Sequence, residues 1–335
     1  DSLGGHGLSV GGVGILKGAK VREWVKEAGR MGVFIWTLGD FSTHVAADTA
    51  EGIYVKATAI AATVGAWVRQ YSGPIYAEWF GSMVASSTPL NVAIAVCGLL
   101  GGGEIRLPAG NVLVDSVELT HDGISIFGAG KGVTNVIVPA NGNDGFKIGD
   151  GTTLRRDCEL GRFSITSATT TKSGGAFIKV NHAYDTRLTE LECLYPYYGI
   201  DVLDGQYTVI RDVLFTYAAS TNSEYIRSNG SQAVNHANVN LFIEDTSADG
   251  ATAPLPRAGI KLGHLDGLFI SKSQMNHCQY GWISEPGTGE QCIHIFADNS
   301  SFDTCTQDGM LIQGVGLCYR HWFDHCWFGT NDDNG

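Results

Sequence analysis

Proline and methionine are scarce in this chain, with 8 and 4 among 335 residues, and several familiar signals are missing altogether. No basic run occurs, and acidic residues outnumber basic ones 34 to 22 for a formal net charge of −12. A surface of that sign repels phosphate backbones and anionic lipid, so neither nucleic acid nor a membrane is an expected partner. No apolar stretch nears the roughly 18 residues of a spanning helix; the run at 90–100 stops at Gly101-Gly102-Gly103. The start, Asp1-Ser2-Leu3-Gly4-Gly5, has neither the basic nor the apolar region of a signal peptide, so no secretory signal is expected. Eight cysteines (Cys97, Cys158, Cys193, Cys278, Cys292, Cys305, Cys318, Cys326) stand without a CxxC pair. That spacing argues against zinc-finger and thioredoxin chemistry and predicts buried free thiols packed as small hydrophobes. No cofactor and no metal are expected.

What is abundant is glycine, 45 residues, about twice the usual share, which favours turns and close backbone stacking over helices. Residues 1–75 read as a small leader module, α+β or β. A helix-like stretch with mixed charges at 21–30 precedes strand-like runs at Val33-Phe34-Ile35-Trp36, Gly52-Ile53-Tyr54-Val55 and Ala66-Trp67-Val68-Arg69. After the break at Tyr71-Ser72-Gly73-Pro74, small apolar residues at 89–99 predict a short helix, placed to cap the first rung of whatever follows.

Beyond residue 103 short β-runs alternate with Gly, Asn and Asp, and they repeat. Leu188, Ile210, Ile243, Ile270, Ala297 and Phe323 fall at steps of 22, 33, 27, 27 and 26 residues. Five residues on stand Cys193, Phe215, Ala248, Met275, Phe302 and Phe328; three residues on, Leu191, Val213, Thr246, Ser273, Ser300 and Cys326. Coils of this length with matching inward positions define a solenoid, in which each coil buries its face against the next. Cys278 and Cys305 share an offset and should form an internal ladder. The polar stretches 220–236 and 248–257 read as loops thrown out from the coil.

The segment Tyr76-Ala77-Glu78-Trp79-Phe80-Gly81, then the helix, then Gly102-Gly103-Glu104-Ile105-Arg106-Leu107-Pro108-Ala109-Gly110-Asn111-Val112-Leu113-Val114, resembles the opening of the pectate-lyase-like β-helix domain. Phage tailspikes and glycoside-hydrolase-28-related proteins share that opening; here Val112 stands where an aromatic is usual. The resemblance implies a right-handed parallel β-helix over 76–335 behind a leader of the kind found in prophage tail proteins, and the end at Asn331-Asp332-Asp333-Asn334-Gly335, without an obvious cap, leads to the expectation that the coil continues past this chain. It further implies a homotrimer on the virion tail, attached to other tail proteins through its amino-terminal part, with a bacterial surface polysaccharide (capsule, exopolysaccharide or O-antigen) as ligand. It implies no particular chemistry, since the fold hosts hydrolases, lyases and pure binders.

The register indicates which side chains stand together. One residue after the apolar ladder come Thr189, Arg211, Glu244, Ser271, Asp298 and Asp324, and next Glu190, Asp212, Asp245, Lys272, Asn299 and His325. At about 4.8 Å per rung, Asp298 and Asp324 are neighbours while Glu244 and Asp298 are about 10 Å apart. Glycoside hydrolysis needs two carboxylates, about 5 Å apart when retaining and about 6.5 to 9.5 Å when inverting. Glu244, Asp298 and Asp324 are therefore the candidate catalytic residues. Asp and Asn also favour turns, so capping of the coil's corners explains the same residues. His325, with Arg320 and His321 upstream, suits a lyase in which a base takes the proton beside a uronate carboxylate that Arg neutralises. Among aromatics able to carry a sugar, Trp282, Trp322 and Trp327 are candidates, and Tyr195, Tyr197 and Tyr198, around Pro196, form the preferred platform. A rigid, non-catalytic tail spacer or receptor-binding protein remains the competing class.

Overall fold

Strand patterns in this chain come in two kinds, and they build two different sheets. The computed structural model describes residues 22–139, 142–230, 238–250 and 253–330. In the first kind, Arg22–Val25, Gly32–Leu38, Gly65–Gln70 and Tyr54–Val55 pair antiparallel in that order. Phe34, Trp36, Val55 and Trp67 fill one side, the two indoles meeting edge to face at 5.7 Å. The helix expected at 21–30 is not there: Arg22–Val25 is an edge strand, and Gly29, at φ +78°, helps turn the chain into its partner. Pairing decided this, because as a strand Arg22–Val25 joins Gly32–Ile35 residue by residue and buries Val25, whereas a lone helix of that length is marginal.

A cation fastens this sheet to the next segment. Arg69 is buried, donates to the carbonyls of Gly52, Met31 and Arg30, and lies between the rings of Phe34 (4.7 Å) and Trp79 (4.4 Å). Burial, helped by the charge of Arg30, lowers its pKa to about 10. Arg69→Gln should therefore destabilise the chain by roughly 2–4 kcal/mol, since it strands buried acceptors and removes both ring contacts. Urea unfolding followed by tryptophan fluorescence measures this, and a loss below about 1 kcal/mol would contradict it.

The second kind of strand coils. Thr88–Leu99 is helical as expected, with proline in its first turn, and packs over the first coil against Ile75–Tyr76, Gly103–Arg106, Val117–Leu119 and Ile124–Phe127. From there every strand pairs in parallel with those one coil before and after. Each coil has three faces. On the first, Leu160, Leu188, Ile210, Ile243, Ile270, Ala297 and Phe323 are successive register partners, the ladder expected from sequence. On the second, Ile165, Cys193, Phe215, Ala248 and Met275 stack, and Phe302 pairs with Phe328. On the third, Phe146, Ile178, Ile200, Ile226, Ile260, Trp282 and Met310 do so.

The third face overturns one expectation. The stretch 220–236 was expected to be a loop, yet Glu224–Asn229 inside it is a strand of the coil, with Tyr225, Ile226 and Ser228 buried. Residues 231–236 lie outside the described residues. Trp282, a candidate for sugar contact, is core, packed on Phe302 and Phe323. Among the cysteines, six are buried and two half-buried, all as free thiols, with Cys278 and Cys305 both inside the core.

Candidate functional site

The first face ends at a sharp corner, and the corner sets the site. Glu190, Asp212, Asp245, Lys272, Asn299 and His325 all have φ between 45° and 53°. That left-handed conformation turns the chain once per coil, and Asn, Asp and His tolerate it better than branched residues. This set is therefore turn chemistry first, as the simpler reading held. The residue just before each turn is different: it is extended, points outward, and belongs to the column Thr189, Arg211, Glu244, Ser271, Asp298, Asp324, whose members are register partners throughout.

That column is held rigidly. The turn N–H groups of Asp245, Lys272 and Asn299 donate to the carbonyls of Ser271, Asp298 and Asp324 one coil on. Just inside, Thr246, Ser273 and Ser300 donate their hydroxyls to the carbonyls of Glu244, Ser271 and Asp298 at 2.8–2.9 Å. Ser273 and Ser300 also accept the N–H of Thr246 and Ser273. Ser273→Ala should cost roughly 1–3 kcal/mol, because it leaves a buried N–H without its acceptor. A shift of the thermal midpoint, with the half-buried Ser271→Ala as the control that strands no N–H, reads it.

Two residues earlier on the same strands a second outward column stands beside the first: Phe242, Phe269, Phe296 and Trp322. Their rings stack at 5.0, 5.2 and 4.6 Å, nearly parallel. Between the columns runs a groove of about 700 Å³, lined by Glu244, Ser271, Asp298, Asp324, His325 and the aromatic column from Phe269 on. His325 Nδ1 sits 3.1 Å from Asp324 and 3.7 Å from Asp298, all three exposed. These three offer ligand atoms within 4.8 Å of one another, the one such group among the described residues; exposed acidic groups commonly stand so without an ion.

Of the residues singled out from sequence, the groove thus gathers Glu244, Asp298, Asp324, His325 and Trp322. Arg320 is not among its lining residues: it lies at another left-handed turn and donates to His294, whose other nitrogen meets Asp266 at 2.8 Å. The tyrosines are elsewhere. Tyr195 stacks on Tyr217 at 4.9 Å beside a separate groove of about 510 Å³. Tyr198 lies under Arg227, 3.5 Å from guanidinium to ring, with Tyr197 edge-on to it. Sequence reading missed Phe242, Phe269 and Phe296, although the same register places them with Trp322 one residue before the apolar ladder.

Comparison with known proteins bears on the architecture. No family model and no curated protein matches this sequence. Solved structures do match in fold. Full-length tailspike protein 2 from Escherichia coli O157:H7 bacteriophage CAB120 is 12% identical with a TM-score of 0.53 over 90% of this chain and 44% of that one. The A-module of Azotobacter vinelandii mannuronan C-5 epimerase AlgE4 is 15% identical, TM-score 0.53, over 72% of this chain and 76% of that one. Dettilon tailspike protein is 16% identical, TM-score 0.50, over 68% and 43%. At such identities the likeness establishes the parallel β-helix and nothing finer, and this chain spans less than half of either tailspike. No helix among the described residues is long and apolar enough to cross a membrane.

Proposed function

We propose that this chain is part of a tailspike-type protein of a phage or prophage that binds a bacterial surface polysaccharide on the first face and depolymerises it by hydrolysis. One observation carries the reading: Glu244, Asp298 and Asp324 share one outward column beside a groove. Glu244 and Asp298 flank Ser271, two rungs apart, or about 10 Å between backbones, near the spacing that leaves room for a water in inverting hydrolysis. Asp324 supports Asp298 through His325, which contacts both. In that reaction one carboxyl gives its proton to the leaving oxygen as the bond to the anomeric carbon breaks. The opposite carboxylate takes a proton from the water whose oxygen bonds that carbon. A homotrimer on a virion tail, attached to other tail proteins through the amino-terminal sheet, is part of the same proposal.

Lyase chemistry is less favoured because Arg320, the cation that would neutralise a uronate, is occupied by His294 rather than lining the groove. Incubation with a panel of purified capsules, exopolysaccharides and O-polysaccharides should release new reducing ends. Products absorbing as unsaturated uronates would establish the lyase instead, and retained binding with intact polymer would leave a receptor-binding protein.

A further inference from the structure

We infer that the glycan segment held on the first face presents methyl-bearing substituents, 6-deoxy methyls or acetyl groups, to Phe269 and Phe296, and its hydroxyls to the carboxylate column. This deepens the reading above and rests on it for the ligand being a glycan. The argument begins with ring geometry. Phe269 is stacked between Phe242 and Phe296, and Phe296 between Phe269 and Trp322, at interplanar angles of 13°, 5° and 4°. Both faces of these two rings are turned to their neighbours, so what they offer the groove is a row of C–H edges. A sugar stacks its own C–H face on a free ring face, and these rings have none to give. A hydroxyl laid against C–H edges gives up its water partners without replacement, whereas a methyl loses nothing and leaves water.

The coil itself does not require this column. The equivalent outward column on the third face is Lys147, Lys179, Asp201, Arg227 and Lys261 before it ends in Ile283 and Leu311, and no aromatic stands in it. Lower on the first face the aromatic column's own positions are Arg187 and Val209. The column turns aromatic only on the coils that carry Glu244, Ser271, Asp298 and Asp324, with Phe296 exposed at 37%. Aromatic edges and carboxylates thus arrive together, one on each side of the groove, as a binding surface for a ligand apolar on one side and hydroxylated on the other would need.

Saturation-transfer NMR on the Asp298→Asn chain tests this with two matched pairs of probes: L-fucose against L-galactose, which differ only by the hydroxyl at C6, and N-acetyl-D-glucosamine against D-glucose. The methyl-bearing member of each pair should bind about fourfold tighter, the factor for burying one methyl-sized group, and its methyl protons should receive the most saturation. Phe296→Ser should abolish the preference, while Phe296→Leu, which keeps an apolar edge, should preserve it. Equal binding within a pair, no binding by any probe, or a preference that survives Phe296→Ser overturns the inference. Depolymerisation without methyl preference defeats only this inference. Methyl preference without new reducing ends defeats only hydrolysis.

Discussion

Replacing Asp298 by Asn is expected to lower the rate of polysaccharide cleavage about a thousandfold while leaving binding within about threefold. The size follows from the role: a positioned proton donor or acceptor contributes roughly 10²–10⁴, and the amide keeps the shape and most of the polar contacts of the acid. The fold should not notice, because the Asp298 side chain is exposed and its backbone is held by Lys272 and Ser300 rather than by its carboxylate. Glu244→Gln should match it. Asp324→Asn should fall clearly less, perturbing Asp298 only through His325. Asp308→Asn, an exposed carboxylate on the third face and outside the groove, is the neutral control. Reducing-end release and polymer affinity, measured on the same preparations, check all four. Retention of more than a tenth of the activity in Asp298→Asn would sink the assignment, since a residue that merely ends a strand is the alternative.

How much of this was legible from the sequence differs face by face. The first and second faces were readable because the corner between them has constant length: a left-handed residue, then an inward small residue, then an inward apolar one, as in Asn299, Ser300 and Phe302. Hence the six apolar positions from Leu188 to Phe323 fall into register in the sequence as they do in the structure. The third face was not readable, because the chain reaches it through connections of changing length; Ile200, Ile226, Ile260 and Trp282 recur at 26, 34 and 22 residues. Its strand Glu224–Asn229 also mixes polar and apolar residues, since its outward charges are paired rather than solvated, and so it was mistaken for loop. The candidate site was half legible for the same reason. Register gave Glu244, Asp298 and Asp324 as one column, but ring stacking depends on side-chain direction, which spacing alone does not report. The tyrosines around Pro196 looked like a platform in sequence and are divided in space, Tyr195 pairing with Tyr217 and Tyr198 with Arg227.

That unread third face supplies the second large effect: Arg227→Met should destabilise the chain by roughly 3–5 kcal/mol at neutral pH, the usual result of removing one partner from a buried ion pair. Arg227 grips Asp201 with two hydrogen bonds of 2.7 and 2.8 Å, covers the ring of Tyr198, and stands 3.9 Å from Glu224. Asp201 and Glu224 are almost entirely buried, so without the guanidinium Asp201 would keep its charge with neither water nor partner. Glu224 retains Arg257, at 2.7 Å, which in turn holds Glu285, so the deficit should localise at Asp201. Two outcomes distinguish this from simple loss of packing. Asp201→Asn combined with Arg227→Met should recover a good part of the loss, because the stranded charge is gone. Arg227→Lys, which keeps a cation but not the two-pronged grip on Asp201, should lose less than Arg227→Met. The Glu285 carboxyl adds a pH dependence common to both proteins. Burial tends to raise its pKa, but Arg257, Lys261 and Gln313 prevail and hold it below 4.5. Its contribution is therefore present above its unfolded pKa and is lost as pH falls through the lower folded value, where both curves should decline together. Urea midpoints across pH measure both effects, and a loss under about 1 kcal/mol for Arg227→Met at neutral pH would mean that water reaches Asp201.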